Sequence, residues 1–85
     1  MKIWLLRPIK GSGAWEPWYD KCFGFVIRAE TSDAARSAAA KQGGDENPLF
    51  DEPQGSPWLD SSQSSCVQLT ADGKAGLVIQ DFHAA

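Results

Sequence analysis

Alternating hydrophobic and polar positions predict four β-strands around one helix. The clearest strand covers residues 22–29, where every second side chain is apolar, and residues 66–70 repeat the pattern. Residues 2–7 are apolar on both faces, which is typical of a central strand. Residues 76–81 form a fourth strand-like run, and the preceding Asp72-Gly73 is a hairpin signal.

A helix is predicted directly after the second strand. Thr31 or Ser32 can accept a hydrogen bond from the first free backbone amides of the helix, and Asp33 suits the positive end of its dipole. Arg36 stands three positions after Asp33, where the two side chains can pair. The alanine-rich stretch continues to residue 42, and Gly43-Gly44 predicts its end through a positive φ.

These elements predict one α+β domain over residues 1–85 with the order ββαββ. A right-handed helical crossover and antiparallel neighbours give a four-stranded, mainly antiparallel sheet in the order 2-1-3-4, with the helix on one face. Phe23, Phe25 and Ile27 are expected beneath the helix. The other face is expected to carry a second apolar set: Trp4, Leu6, Val26 and Val78. Such a face needs a cover from loops, from a partner or from a second copy of the chain, so a homodimer is one expectation.

Two long connections, residues 8–20 and 45–65, hold the candidate binding residues. Long connections in compact domains are usually functional or mobile, and their aromatic side chains either close a small core or anchor a partner. The acidic candidates, expected to meet Lys or Arg on a partner, are Asp45, Glu46, Asp51, Glu52 and Asp60. The apolar anchors are Trp15, Trp18 and Trp58.

The formal net charge of −3 is unevenly distributed. Residues 1–42 hold seven Lys or Arg against four Asp or Glu, whereas residues 43–85 hold one Lys against seven Asp or Glu. An acidic half attracts basic surfaces and opposes contact with phosphates. The charge pattern therefore favours a basic protein partner over bare nucleic acid.

The sequence contains no catalytic motif, and we expect a non-enzymatic protein without a cofactor. Cys22, Cys66 and His83 lack the spacing of a zinc site, and no catalytic base or nucleophile pattern surrounds His83. No apolar run is long enough to span a bilayer, and the run after Met1 is too short for a signal peptide. We therefore expect a cytosolic protein with both cysteines reduced.

The run Lys21-Cys22-Phe23-Gly24-Phe25-Val26-Ile27-Arg28 resembles the RNP1 strand of the RNA-recognition motif. Residues 31–36 resemble the helix that follows RNP1, and residues 3–6 loosely resemble RNP2. This resemblance implies single-stranded RNA binding, with Phe23, Phe25 and Trp4 stacking on bases. In the orientation that this resemblance implies, Arg28 would lie in the core, where an unpaired guanidinium is costly. This cost favours the opposite orientation of the strand, in which Phe23, Phe25 and Ile27 are buried and Arg28 is in solvent.

The chain also resembles accessory proteins of phages and mobile elements, because it is short and acidic and predicts one helix on a small sheet. Anti-CRISPR and related anti-defence inhibitors belong to this group. Many of them use acidic side chains to occupy the basic nucleic-acid groove of a host complex. This resemblance implies a protein-binding inhibitor that acts through the acidic and aromatic residues of the two long connections.

Overall fold

The computed structural model describes residues 1–16, 20–48 and 53–82. These residues form an α+β unit in which one helix covers one face of an antiparallel sheet. The strands are β1 (Lys2–Pro8), β2 (Phe25–Ala29) and β3 (Ser64–Leu69), and the helix is α1 (Ser32–Gln42). Two 3-10 turns, Gly13–Trp15 and Pro57–Leu59, lie in the long connections.

The sheet has the order β2-β1-β3, which confirms the predicted central position of the first strand. β1 pairs with β2 from Lys2↔Ala29 to Leu6↔Phe25, and with β3 from Ile3↔Leu69 to Pro8↔Ser64. The second strand begins at Phe25 instead of residue 22, since its ladder with β1 ends at the Leu6↔Phe25 pair.

The prediction of a fourth strand is wrong, because residues 76–81 follow an irregular path outside the sheet. Gly73 has a φ of 149°, whereas a two-residue hairpin turn needs φ near the left-handed helical value. The run Leu77-Val78-Ile79 is also apolar at successive positions, so no alternation fixes which face of a strand would turn inward. β3 is consequently an edge strand, as β2 is on the other side of the sheet.

The helix begins as the sequence predicts and ends by another mechanism. Thr31 caps it, accepting a hydrogen bond from the backbone N–H of Ala34 at 3.1 Å. Gly43 has a φ of −64°, so the expected positive φ is wrong. Glycine is needed here for space instead, because a Cβ on Gly43 would collide with the side chains of Glu46 and Asn47, and a Cβ on Gly44 would collide with the backbone oxygen of Asp20.

The core lies between the sheet and the small face of α1. Ala35 and Ala39 are fully buried and Ala40 almost so, which brings the helix close to the sheet. Phe25 and Ile27 face the helix as predicted and pack against this core. The prediction for β1 is wrong: Leu6 pairs with Phe25, and Trp4 with Ile27, so both point toward the helix. The open face of the sheet instead carries Ile3, Leu5, Arg7, Val26, Arg28, Val67 and Leu69.

Candidate functional site

Glu46 lies inside the protein, although the sequence nominates it for partner contact. Only 5% of its surface is exposed. One carboxylate oxygen accepts from the indole N–H of Trp58 at 2.6 Å, and the other accepts from the backbone N–H groups of Gly44 at 2.9 Å and Cys22 at 3.0 Å. These bonds join the end of α1, the strand entry and the second 3-10 turn around one buried carboxylate.

Trp15 and Trp58 are likewise part of the core. Trp58 is fully buried, and its ring centroid lies 4.7 Å from that of Trp15 and 5.0 Å from that of Phe25. Trp15 donates its indole N–H to the backbone oxygen of Gln63 at 3.1 Å. In this arrangement the two indoles close the space beside the helix, as large aromatic side chains often do in small domains, and neither presents a surface anchor.

The rings named for RNA stacking are also engaged in packing. Phe23 lies 6.2 Å from Trp15, and Phe25 meets Trp58 edge-on. Trp4 donates its indole N–H to the backbone oxygen of Ala29 at 3.0 Å. All three rings are partly buried against the core, and Trp4 and Phe25 lie on the face of the sheet that α1 covers.

Asp45 is exposed on the loop after α1. It has an exposed acidic neighbour that the sequence analysis missed, Asp20, which lies on the connection before β2. The backbone N–H of Asp45 donates to the backbone oxygen of Asp20 at 2.8 Å, so the two exposed residues lie side by side. Asp20 has a φ of 59°, a left-handed conformation that aspartate tolerates better than most residues. Gly44 approaches the same Asp20 oxygen so closely that a Cβ would not fit. No local signal in the sequence links residues 20 and 45.

Asp60 is exposed and organises its own turn. Its carboxylate accepts from the side-chain hydroxyl of Ser62 at 2.6 Å, from the backbone N–H of Ser62 at 2.8 Å and from the side-chain amide of Gln63 at 2.9 Å. The Ser62 hydroxyl, followed by the Gln63 amide, lowers the pKa of Asp60 to about 2. The carboxylate is therefore ionised throughout the physiological pH range.

The remaining candidates, Asp51, Glu52 and Trp18, lie outside the described residues. The sequence analysis considered Arg36 only as a partner for Asp33 and missed its contacts with Trp58 and Ser64. Its guanidinium donates to the backbone oxygen of Trp58 at 2.9 Å, to the hydroxyl of Ser64 at 2.8 Å and to the backbone oxygen of Ser64 at 3.0 Å. Arg36 thus ties α1 to the second 3-10 turn and to β3, a role that only the tertiary contacts reveal.

Cys22 and Cys66 are free thiols at opposite ends of α1. The Cys66 sulfur lies 3.9 Å from the backbone oxygen of Ser32, and the Cys22 sulfur lies 3.7 Å from that of Gln42. Those two residues are the first and last of the helix and stand about 15 Å apart, so this fold does not allow a disulfide between the cysteines. Burial raises the pKa of both thiols, and the Glu46 carboxylate adds to the rise at Cys22.

Within residues 1–16, 20–48 and 53–82, no three His, Cys, Asp or Glu side chains converge on a point where a metal ion could be held. No described helix has the length and apolar character needed to cross a membrane.

Comparison with protein-family models, with curated proteins and with solved structures finds no match to this chain.

Proposed function

We propose that this protein is a small, non-enzymatic binding module whose acidic surface docks onto a basic surface of a partner protein. The observation that carries the proposal is the pair of exposed aspartates, Asp20 and Asp45, whose backbones are joined by a hydrogen bond. A homodimer through the open sheet face is a separate proposal that uses a different surface.

The acidic pair stands on a base that is already ordered. Directly beneath it, the Glu46 carboxylate holds the backbone of Gly44 and Cys22 and the indole of Trp58. A surface that is ordered before binding loses less conformational entropy when it binds. Carboxylates presented in this way can meet Lys or Arg side chains without rearrangement of the loop, and their charge also accelerates encounter with a basic partner.

Proteins that bind nucleic acids carry grooves lined with Lys and Arg side chains, which are suitable partners for these carboxylates. The inhibitor class that the chain resembles, phage-type anti-defence proteins such as anti-CRISPRs, blocks such complexes with acidic side chains. The excess of acidic residues in the second half of the chain, one Lys against seven Asp or Glu in residues 43–85, supports the same target chemistry. We therefore place a nucleic-acid-binding host complex first among the partners to be tested.

Substitutions that change the surface charge without disturbing the fold can test this proposal. Asp20→Asn with Asp45→Lys removes the acidic pair, and asparagine suits the left-handed backbone at position 20. The matched control, Glu30→Lys with Asp72→Asn, makes the same total change in net charge at other exposed positions. In affinity capture from a host lysate, the first variant should lose the protein that the wild type retains, and the control should keep it.

Equal recovery by both variants would show that the acidic pair is not the binding surface. A partner obtained in this way should also dissociate faster from the wild type as salt is raised, since surface charge attraction is screened.

The RNA-binding alternative requires Phe23, Phe25 and Trp4 to stack on bases, and the packing of these rings gives it no support. Titration of single-stranded RNA at low salt, followed by tryptophan fluorescence, tests it directly. RNA stacking on Trp4 would change the emission, and an unchanged spectrum would dismiss the alternative.

A further inference from the structure

The open face of the sheet is an apolar surface with little cover. Leu5 in the central strand stands between Val26 on one side and Val67 on the other. Val26 is 61% exposed and Val67 is 55% exposed. These two β-branched side chains, on the two edge strands with Leu5 between them, form an apolar patch of the kind that monomeric proteins usually cover.

The segment after β3, residues 70–82, runs back against this same face. Ile79 and Asp81 line an open groove together with Leu5, Arg7 and Val26. This contact leaves the other large apolar side chains of the segment in solvent: Leu77, Val78 and Phe82 are each 78% exposed. The segment therefore extends the apolar surface of the sheet instead of closing it.

The charges near this surface have both signs. Arg28 on β2 is exposed on the open face, and Arg7 lines the groove, whereas Asp72 and Asp81 belong to the segment that follows β3. An isologous interface requires a patch that is complementary to itself. An apolar centre with cations on the strands and anions on the adjoining segment is compatible with that requirement, because a two-fold arrangement can set the cations of one copy against the anions of the other. A partner with charge of one sign would match only part of this rim.

We propose that two copies of this chain associate through their open sheet faces, with residues 76–82 of each copy packed in the interface. When two sheets face each other, the side chains of both inner faces form a shared core. Val26 and Val67 form the centre of the interface with Leu77, Val78 and Phe82 around them. This interface leaves the Asp20–Asp45 pair outside, so the dimer does not depend on the proposed partner.

Sedimentation equilibrium of the full chain over a range of concentrations measures this association. The wild type should form a reversible dimer. Val26→Lys and Val67→Lys place a charge at the centre of the interface, and each should raise the dimer dissociation constant by about tenfold or more. Ala34→Lys is the matched control, since it adds the same charge at an exposed position of α1, and it should dimerise like the wild type.

Phe82→Ser provides a second variant outside the sheet and the core, and it should weaken the dimer while far-UV circular dichroism stays unchanged. The proposal is overturned if the wild type remains monomeric at the highest concentration reached. It is also overturned if the two valine variants, shown to be folded by tryptophan fluorescence, dimerise as strongly as the control.

Discussion

Replacement of the buried Glu46 carboxylate by the isosteric amide, Glu46→Gln, tests the hydrogen-bond cluster that holds the loop after α1. Glutamine keeps the shape of the side chain but has only one accepting oxygen. If that oxygen keeps the backbone N–H groups of Gly44 and Cys22, the new NH₂ group faces the indole N–H of Trp58, which also donates. The reverse orientation leaves the two backbone donors unpaired instead.

The expected cost follows from these bonds. A hydrogen bond to a charged group contributes about 1.5–3 kcal/mol, and a buried donor left unpaired costs about 1–3 kcal/mol. The neutral amide recovers part of this sum because it is less costly to bury than a carboxylate, so we expect a net loss of about 2–4 kcal/mol. A domain of this size has roughly 4–13 kcal/mol of total stability, so the variant should be clearly weakened.

Urea denaturation followed by tryptophan fluorescence measures the loss, and thermal melting should show a fall of roughly 10–30 °C. Asp45→Asn is the matched control: it makes the same chemical change at the adjacent exposed position and should cost less than about 0.5 kcal/mol. A double-mutant cycle with Trp58→Phe isolates the bond itself. Strictly additive losses in that cycle, or a Glu46→Gln variant as stable as the control, would refute the reasoning.

Three further changes test other parts of the structure. Arg36→Lys cannot reproduce the forked donation to three oxygens and should lower the free energy of unfolding by about 1–3 kcal/mol in urea; wild-type stability would contradict this. Gly44→Ala forces a Cβ against a backbone oxygen and should cost about 1–3 kcal/mol, whereas Gly13→Ala, with open space around it, should be nearly neutral. Ser62→Ala should raise the pKa of Asp60 from about 2 toward its ordinary 3.8, as measured by carboxyl NMR titration. A lowered pKa in the folded state means that the ionised Asp60 carboxylate stabilises the wild type at pH values above 3.8, and that this stabilisation is lost as the pH falls toward 2. The loss of stability on acidification should therefore be smaller in Ser62→Ala than in the wild type.

The sequence alone determined the features that depend on neighbouring residues. The helix, a cap at Thr31 or Ser32 and the small alanine face follow from side-chain type and spacing along a single turn, and the structure selects Thr31 as the cap. The alternation around Phe25 placed that strand correctly with respect to the helix, since burial of Arg28 is costly. The order of the first three strands followed from the crossover and from the apolar character of residues 2–7.

Features that depend on residues far apart in the chain could be established from the tertiary contacts alone. Both faces of β1 are apolar, so its orientation was settled by pairing with Phe25 and not by its own pattern. In the sequence, Glu46 is one of several acidic residues in a long connection. Its burial depends on hydrogen-bond donors from three separate segments of the chain, which only the fold brings together. Residues 76–81 have strand-like side chains, but a strand also needs a turn and a register, and neither is present. The proximity of Asp20 and Asp45 likewise depends on the tertiary fold, since a backbone hydrogen bond joins them across 25 positions of the chain. Local propensities act over only a few residues and give no information about such a contact.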